Sequence, residues 1–253
     1  MKRLKFHKRE VIMQDEVNLE LLLKEGAKEF NAVLDDRQLG QFFRYKEILK
    51  EWNEKINLTA IEDDRDVIIK HYIDSLSILT YLKNEEISLI DIGTGAGFPG
   101  IPVKIAFDRV QVTLLDSLEK RIKFLNEVIA RLELNGIRTV HGRAEDFGAC
   151  EGFREQFDVS TARAVAGLPV LLEYCLPFVK PGGLFIAMKG KVTEEVAQSK
   201  KALEVLGGKI EEVKEIVLPF SDIRRSIVII RKFRQTPAKY PRKAGKPARA
   251  PLI

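Results

Sequence analysis

The chain has 253 residues, of which 45% are hydrophobic, and a formal net charge of +5, values typical of a globular protein with one large domain and an appendage. No apolar run approaches the roughly 18 residues of a membrane span, and the basic residues 1–10 lack the apolar core of a secretory signal. The two cysteines, Cys150 and Cys175, give neither a disulfide framework nor a metal-ligand spacing, so a cytoplasmic protein without a metal is expected.

The front of the chain has helical periodicity and no strand signal. Apolar residues recur at helical spacing over residues 15–34, 36–56 and 66–82. We therefore expect residues 1–83 to form a small helical cap, whose apolar stripe serves core packing rather than ligand binding.

From residue 88 the pattern changes to strands that alternate with helices, which predicts right-handed crossovers and a mainly parallel sheet. The predicted strands are 88–92, 111–115, 138–141, 157–161, 183–188, 209–218 and 226–233, and the predicted helices are 100–107, 118–134, 145–150, 168–179 and 193–206. No helix separates the last two strands, so they should pair antiparallel at one edge. Five parallel strands followed by such a pair favour the seven-stranded methyltransferase sheet over the all-parallel nicotinamide-binding sheet.

The end of the chain is basic. Residues 231–253 contain eight Lys or Arg and no acid, and residues 1–10 contain five Lys or Arg and one Glu, so the chain between them is net acidic. Basic ends are typical of nucleic-acid contact, because Lys and Arg displace counterions from phosphates. A solvated tail has the same composition. Residues 84–234 are thus the expected catalytic domain, and 235–253 an irregular basic tail rich in Pro and Gly.

The stretch 88–100, SLIDIGTGAGFPG, is an apolar strand that ends in a glycine loop, with helical spacing resuming at Ile101. Glycine lets the backbone approach a ligand, and the free N–H groups of the next helix face the same space. Three interpretations fit this loop: a dinucleotide fingerprint starting at Gly95, an S-adenosylmethionine loop starting at Asp91, or a structural turn without a ligand.

Acidic residues follow the next two predicted strands. Asp116, after the second strand, is placed to accept hydrogen bonds from ribose hydroxyls, or alternatively to cap the following helix. Ala144 and Glu145, after the third strand, suit an adenine amine and ring nitrogen. In a parallel sheet these positions share one crevice with the glycine loop, which is where ligands bind.

The fourth strand ends in FDVSTARA, residues 157–164, without the Asn/Asp-Pro-Pro-Tyr/Phe motif of enzymes that methylate exocyclic amines. Neither cysteine follows a proline, as the cytosine-C5 enzymes usually require. Arg163 stands at this site, and a basic, non-nucleophilic residue suits an acceptor with a free lone pair, such as guanine N7. Its structural alternative is a salt bridge to Glu145 or Asp158, and Lys189 after the fifth strand has the same ambiguity.

His71, Asp74 and Ser75 lie within one turn of the third predicted helix. Adjacent residues on one turn point outward together and cannot form a hydrolytic relay. Two interpretations stay open: a helix-surface network that closes over the cofactor crevice, or a structural histidine.

Several of these motifs together resemble the glucose-inhibited division protein B family, over roughly residues 15–245. The motifs that carry the resemblance are Asn57-Leu-Thr-Ala-Ile61, His71 with Asp74-Ser-Leu76, the loop from Asp91 to Pro102, Gly142-Arg-Ala-Glu-Asp146, Ala162-Arg-Ala164, Lys189-Gly190 and the closing Lys239 to Gly245. The family consists of bacterial 16S ribosomal RNA guanine-N7 methyltransferases. The resemblance implies S-adenosylmethionine contacts at Gly93, Phe98, Ala144-Glu145 and Arg163, with RNA as the methyl acceptor.

The sequence thus predicts a Rossmann-like class I methyltransferase with an N-terminal helical cap. The expected roles are the methionine side of the pocket for Gly93, Gly95, Gly97 and Phe98, ribose for Asp116, adenine for Ala144 and Glu145, the space between cofactor and RNA for Arg163, and the acceptor side for His71 and Lys189. We expect a cytoplasmic monomer that acts on small-subunit rRNA or the 30S particle, without a metal or a membrane. The competing hypotheses are an NAD(P)-dependent oxidoreductase, a non-catalytic RNA-binding module with a vestigial pocket and, disfavoured by the basic ends, a small-molecule methyltransferase.

Overall fold

The fold is described from a computed structural model, in which residues 18–82 and 86–253 are described. Its strands are β1 (Ser88–Ile92), β2 (Gln111–Asp116), β3 (Ile137–His141), β4 (Phe157–Arg163), β5 (Val179–Lys189), β6 (Gly208–Val217) and β7 (Arg224–Lys232). They form one seven-stranded sheet in the order β3-β2-β1-β4-β5-β7-β6. Strands β1 to β5 are parallel, and β7 runs antiparallel to both β5 and β6. The predicted sheet with its closing antiparallel pair is confirmed.

Helices cover both faces of this sheet. They are α1 (18–28), α2 (Asp36–Ile56), α3 (Asp64–Val67), α4 (Asp74–Leu76), α5 (Gly100–Ala106), α6 (Glu119–Arg131), α7 (Ala144–Phe147), α8 (Leu168–Cys175), α9 (Thr193–Gln198), α10 (Lys200–Leu206) and α11 (Lys246–Arg249). The single helix predicted over 193–206 is two helices, which meet at Ser199. The helix predicted over 168–179 gives way to a short 3-10 turn at Leu176–Phe178.

Alternate side chains of each strand point to opposite faces, so the sheet has a core on each side. In β7, Ile227 and Ile229 pack with the N-terminal helices, whereas Val228 and Ile230 pack with α8 and α10. Continuous apolar strands of this kind are typical of a parallel sheet covered on both faces.

Helix α2 joins the N-terminal helices to the sheet. It begins at a capping box, in which Asp35 accepts from the Gln38 backbone N–H and the Gln38 side chain accepts from the Asp35 N–H. The Gln38 amide also donates to the Ile105 carbonyl of α5 over 2.8 Å. The bounds predicted for this helix are confirmed. The start of α1 predicted at residues 15–17, and the basic residues 1–10, lie outside the described residues. The domain boundary at 83/84 stays a prediction.

The third predicted helix, 66–82, is not regular. Between α3 and α4 the backbone forms a π-helix over Ile68–Ile73, and a 3-10 turn follows α4 at Ser77–Tyr81. Short π-helical segments are frequent at functional sites. Here the π-helical segment carries His71, and Asp74 follows it at once.

The basic segment after β7, residues 233–253, packs on the body of the protein. Arg154 donates to the carbonyls of Thr236 and Tyr240, and Arg242 forms an ion pair with the buried Glu173 at 2.5 Å. Leu252 is buried among the apolar residues around α8. The irregular tail predicted for 235–253 therefore contains the short helix α11 and several fixed contacts.

Candidate active site

Two cavities open at the carboxyl ends of the parallel strands, where ligands bind in folds of this kind. The β1–β3 cavity, of about 150 Å³, is lined by residues that include Gly93, Asp116, Ala144 and Glu145. The β4–β5 cavity, of about 300 Å³, is lined by Ile61, Lys70, His71, Asp74, Arg163, Ala164, Met188, Lys189, Gly190 and Arg225. The turn after β4 separates the two cavities, with Val165 on the first and Ala164 on the second.

The glycine loop after β1 folds back on β2. Gly93 and Thr94 both donate to the Leu115 carbonyl, and Gly95 donates to Asp116 Oδ2 over 2.9 Å. Gly95 has a φ of 62°, and a Cβ added there would meet only the Gly93 carbonyl oxygen, at 3.9 Å. Glycine is therefore required here by the backbone conformation rather than by crowding.

Asp91, at the end of β1, is a buried carboxylate that shapes this loop. Its Oδ2 accepts from the Thr94 hydroxyl over 2.6 Å and from the Gly100 N–H at the start of α5 over 2.9 Å. Burial raises its pKa to about 6. Among the described residues, its Oδ1 has no hydrogen-bond partner.

Asp116 binds both the glycine loop and the turn before α6. Its Oδ1 accepts from the Leu118 N–H just before α6, and its Oδ2 accepts from Gly95 and forms an ion pair with Arg121 at 3.2 Å. The carboxylate is almost fully buried and also lines the β1–β3 cavity.

Ala144 and Glu145 begin α7 at the far side of the same cavity. The Glu145 carboxylate is buried, and its Oε1 accepts from the Gly245 N–H over 2.8 Å. The C-terminal segment therefore reaches the cavity wall, 100 residues along the chain from Glu145. No pattern in the sequence predicts this contact.

Phe98 lies between the two sides of the site. Its buried ring stacks on His71 at a centroid distance of 4.4 Å, and the Arg163 guanidinium lies 5.0 Å from the ring centroid. Gly97 stands just before it, and a Cβ there would lie 2.5 Å from the Ile101 side chain. Gly97 is thus required for packing of the loop against α5.

Arg163, at the end of β4, is held by three groups of the N-terminal helices. It donates to the Lys70 carbonyl over 3.0 Å, to Asp74 Oδ2 over 3.1 Å and to His71 Nδ1 over 3.1 Å. The salt bridge considered as the structural alternative for Arg163 does form, but the partners named for it, Glu145 and Asp158, are wrong: the partner is Asp74. Asp158 lies at the start of β4 instead, where it binds Ser88 and Lys180.

His71 is neutral in this setting. Its Nδ1 accepts from Arg163, which assigns the proton to Nε2, and Nε2 lies 2.9 Å from the Thr59 hydroxyl. Burial, together with the charge of Arg163, lowers its pKa to about 3. His71, Asp74 and Ser75 are all buried. The helix-surface position expected for them is wrong, because the helix packs against the ends of β4 and β7.

Lys189, at the end of β5, binds the loop that follows β4. Its ammonium donates to the Ala166 carbonyl over 2.7 Å and pairs with Glu195 at 2.9 Å. The same Glu195 oxygen accepts from the Leu168 N–H at the start of α8. Lys189 lines the β4–β5 cavity and fixes the turn that divides the two cavities.

Neither Arg225 nor the position of Asp74 between two arginines was predicted from the sequence. The Arg225 Nε donates to Asp74 Oδ2 over 3.3 Å. Because β7 runs antiparallel to β5, its first residues lie beside the last residues of β5, where Ser226 pairs with Lys189. The predicted antiparallel pair contained this signal, since it places Arg224 and Arg225 at the ligand-binding edge.

Part of the positive charge of residues 231–253 is neutralised by ion pairs within the protein. Arg231 pairs with Glu211, Lys232 with Glu155 and Arg242 with Glu173. The other basic residues of residues 231–253 are exposed, and these are Arg234, Lys239, Lys243, Lys246 and Arg249. In residues 18–82 and 86–253, no helix is long and apolar enough to cross a membrane.

The glycine loop after β1, the acids after β2 and β3, and the antiparallel β7 together define an S-adenosylmethionine-dependent methyltransferase of the Rossmann-like class. A methyltransferase of Aquifex aeolicus has the same fold, with a TM-score of 0.51 and 16% identity over 69% of this chain and 96% of that one. The TYW2 protein of P. horikoshii also shares the fold, with a TM-score of 0.52 and 14% identity over 64% of this chain and 62% of that one.

The particular family follows from the sequence comparisons. The family model GidB, described as rRNA small subunit methyltransferase G, matches residues 38–228, and the chain belongs to this family. A ribosomal RNA small subunit methyltransferase G of Acetivibrio thermocellus is 64% identical over 94% of this chain and 99% of the relative. One of Alkaliphilus oremlandii is 54% identical over 93% of this chain and 100% of the relative.

The residues of the β1–β3 cavity fit S-adenosylmethionine, the cofactor of this methyltransferase. Gly93 lines the cavity without a side chain, and two carboxylates, Asp116 and Glu145, suit the hydroxyl and amine donors of an adenosine.

Proposed function

We propose that the protein methylates N7 of a guanine in small-subunit (16S) rRNA, with S-adenosylmethionine as methyl donor. The supporting observation is the composition of the β4–β5 cavity, which has Arg163, Lys189 and Arg225 in its lining and a histidine whose pKa is about 3. An acceptor that must lose a proton needs a base whose pKa lies near the working pH. Guanine N7 has a free lone pair and no proton, so this lining suits it.

When bound, the donor supplies an electrophilic methyl group on a sulfonium, and the protein has to hold donor and acceptor in line. We assign the donor to the β1–β3 cavity. Gly93, Gly95, Gly97 and Phe98 would shape its methionine side, Asp116 would accept from ribose, and Ala144 and Glu145 would bind adenine.

The acceptor side uses a preorganised arginine. Arg163 is already fixed by Asp74, His71 and Lys70, so orienting it costs nothing when RNA binds. Its guanidinium would face both cofactor and RNA. His71 supports it as a neutral acceptor, and Lys189, paired with Glu195, holds the turn between the cavities on the acceptor side.

The proposal extends to the setting of the reaction. We infer that the protein is a cytoplasmic monomer. We also infer that it needs no metal, because alkylation of a free lone pair requires neither a metal-activated nucleophile nor a Lewis acid. The acceptor would be naked rRNA or the 30S particle, and the exposed lysines and arginines of 234–249 would contact its phosphates.

The decisive experiment is methyl incorporation from labelled S-adenosylmethionine into unmethylated rRNA and 30S particles, followed by mass spectrometry of the nucleoside. We expect N7-methylguanosine at one site. Methylation of another atom would refute the assignment, and binding without incorporation would favour the non-catalytic module. Titration with NAD(P) is the control for the oxidoreductase alternative, which the family assignment does not favour.

A further inference from the structure

Asp74 has one carboxylate oxygen without a hydrogen-bond partner in residues 18–82 and 86–253. Its side chain is 3% exposed, and its Oδ2 accepts from Arg163 at 3.1 Å and from Arg225 at 3.3 Å. Its Oδ1 is buried and has no partner among the described residues. An unsatisfied buried polar group costs about 1–3 kcal/mol, and more when it is charged. Such an oxygen in a native protein calls for a donor from outside the chain.

The place of Asp74 identifies the kind of donor. Asp74 lines the β4–β5 cavity, whose volume of about 300 Å³ is within the range of small-ligand pockets. Ile61 and Met188 provide apolar walls, which suit the faces of a planar ring, while Arg163 and Lys189 provide charge. The cavity thus has the composition of a pocket for a single unstacked base, with an anion among its polar groups.

A carboxylate accepts hydrogen bonds and cannot donate them while it is ionised. Asp74 already acts as an acceptor toward Arg163 and Arg225, which both donate to its Oδ2. Among the four RNA bases, only guanine presents two adjacent donors, N1–H and the 2-amino group, on its Watson–Crick edge. Its N7 lies on the opposite side of the base, so a carboxylate bound to the Watson–Crick edge leaves N7 free.

We propose that Asp74 selects guanine as the methyl acceptor, its carboxylate accepting hydrogen bonds from N1–H and the 2-amino group of the target base. The proposal rests on the guanine-N7 function given above. Enzymes that act on unstacked bases commonly recognise this edge. Arg163 and Arg225 hold the carboxylate in place, and Arg225 belongs to β7, so the closing strand of the sheet contributes to base selection.

A simpler role for Asp74 would be to position Arg163 without touching RNA. The two roles differ in what happens when the 2-amino group of the base is removed. Inosine keeps N7, O6 and N1–H but lacks this group, so it removes one of the two proposed hydrogen bonds. A residue that acts only through Arg163 would not respond to that change.

The experiment compares rRNA fragments that carry guanosine or inosine at the target position, with kcat/KM measured for each. For the wild type we expect a preference for guanosine of about tenfold or more, since hydrogen bonds to charged groups contribute about 1.5–3 kcal/mol. In Asp74→Asn the preference should fall to within about threefold, because the carboxylate that receives both donors is gone. Asp74→Ser, which removes the carboxylate and leaves room for water, should give the same loss of preference.

The matched control is Asp158→Asn, at the opposite end of β4, which should keep the guanosine preference. Thermal unfolding and cofactor titration establish that each variant is folded. Equal use of inosine by the wild type would overturn the proposal without any variant. It would also be overturned if Asp74→Asn slowed both substrates equally and kept the preference. Failure of the proposed function itself looks different: the wild type would then leave N7 of guanosine unmethylated in every RNA.

Discussion

The two cavities at the edge of the sheet are built in different ways. The β1–β3 cavity is lined by Gly93 of the glycine loop, by Asp116 and by residues 144–145, which lie at the carboxyl ends of β1, β2 and β3. The β4–β5 cavity is formed by side chains from the π-helical segment, β4, β5 and β7. The first site therefore depends on backbone conformation, and the second depends on a network of long side chains.

This difference predicts different responses to substitution. Changes in the β1–β3 cavity should alter cofactor affinity, because they act on the surface to which we assign the cofactor. Changes in the β4–β5 network should alter the rate of methyl transfer, because they act on the orientation of Arg163 and Asp74.

The largest effect is expected for Arg163→Lys. Lysine keeps the charge but loses the forked geometry that reaches Asp74, His71 and Lys70 together. We expect kcat to fall by about 100-fold or more, as when one preorganised stabilising group is removed. Cofactor affinity should change by less than about tenfold. Arg231→Lys, at an exposed ion pair with Glu211, is the control and should keep full activity. If the dissociation constant of Arg163→Lys for S-adenosylmethionine rose by the same factor as kcat fell, the two cavities would not have the separate roles predicted here.

Gly95→Ala should have the next largest effect, on the other cavity. The left-handed φ of 62° costs an L-residue about 1–2 kcal/mol, and this conformation holds the Gly95 N–H on Asp116 Oδ2. We expect the dissociation constant for S-adenosylmethionine to rise about tenfold or more, measured by calorimetry. Gly40→Ala, on an exposed and uncrowded position of α2, should instead stabilise the protein by about 1 kcal/mol. Unchanged cofactor affinity in Gly95→Ala would place the cofactor elsewhere.

His71 gives a prediction for the pH dependence of stability. Its pKa is about 3 in the folded protein, below the ordinary 6.5, because it is buried beside Arg163. The unfolded chain therefore binds the proton more tightly, and the free energy of unfolding should fall as pH decreases from 6.5 toward 3. The limiting slope is about 1.4 kcal/mol per pH unit.

Asp91 has the opposite sign, since its pKa is raised to about 6 and its protonation favours the folded state between about pH 4 and 6. The contribution of His71 is therefore isolated by comparing the wild type with His71→Asn in denaturant titrations across this range. Parallel curves for the two proteins would mean that His71 is solvated rather than buried.

The smallest effect is expected from the exposed lysines beside the cavities. Lys243→Ala and Lys246→Ala each remove one exposed charge and no described ion pair. Each should lower the salt dependence of RNA binding by about one phosphate contact, with affinity changing only a few-fold. Binding titrations at several salt concentrations measure this slope. The paired Arg231 serves as the comparison, since its charge is already neutralised by Glu211.

The sequence was sufficient where structure follows from neighbouring residues. The bounds of α2 and β1 match the prediction, because a capping box begins one and a run of glycines ends the other. The glycine loop and the positions of Asp116 and Glu145 at one cavity also follow from strand order. The helical spacing over residues 15–34 does not place every apolar side chain in the core, since Leu21 is exposed.

The sequence was insufficient where a contact joins distant parts of the chain. Asp74 lies 89 residues from Arg163 and 151 from Arg225, so no local pattern connects the three. The π-helical turn that places His71 and Asp74 inward is likewise a result of packing. A regular helix in isolation would turn these side chains elsewhere, which explains why a surface network was expected.

The contacts of the C-terminal segment affect how the protein should be cut and tagged. The Gly245 N–H donates a hydrogen bond to the Glu145 carboxylate, and Arg242 forms an ion pair with the buried Glu173. Arg154 donates to a backbone carbonyl of the same segment. A truncation at residue 233 would therefore remove the hydrogen bond to Glu145 and leave Glu173 as an unpaired buried charge. Loss of RNA binding in such a truncated protein would say little about electrostatics. Single charge replacements at Lys243 or Lys246 leave these anchors intact and test the basic surface alone.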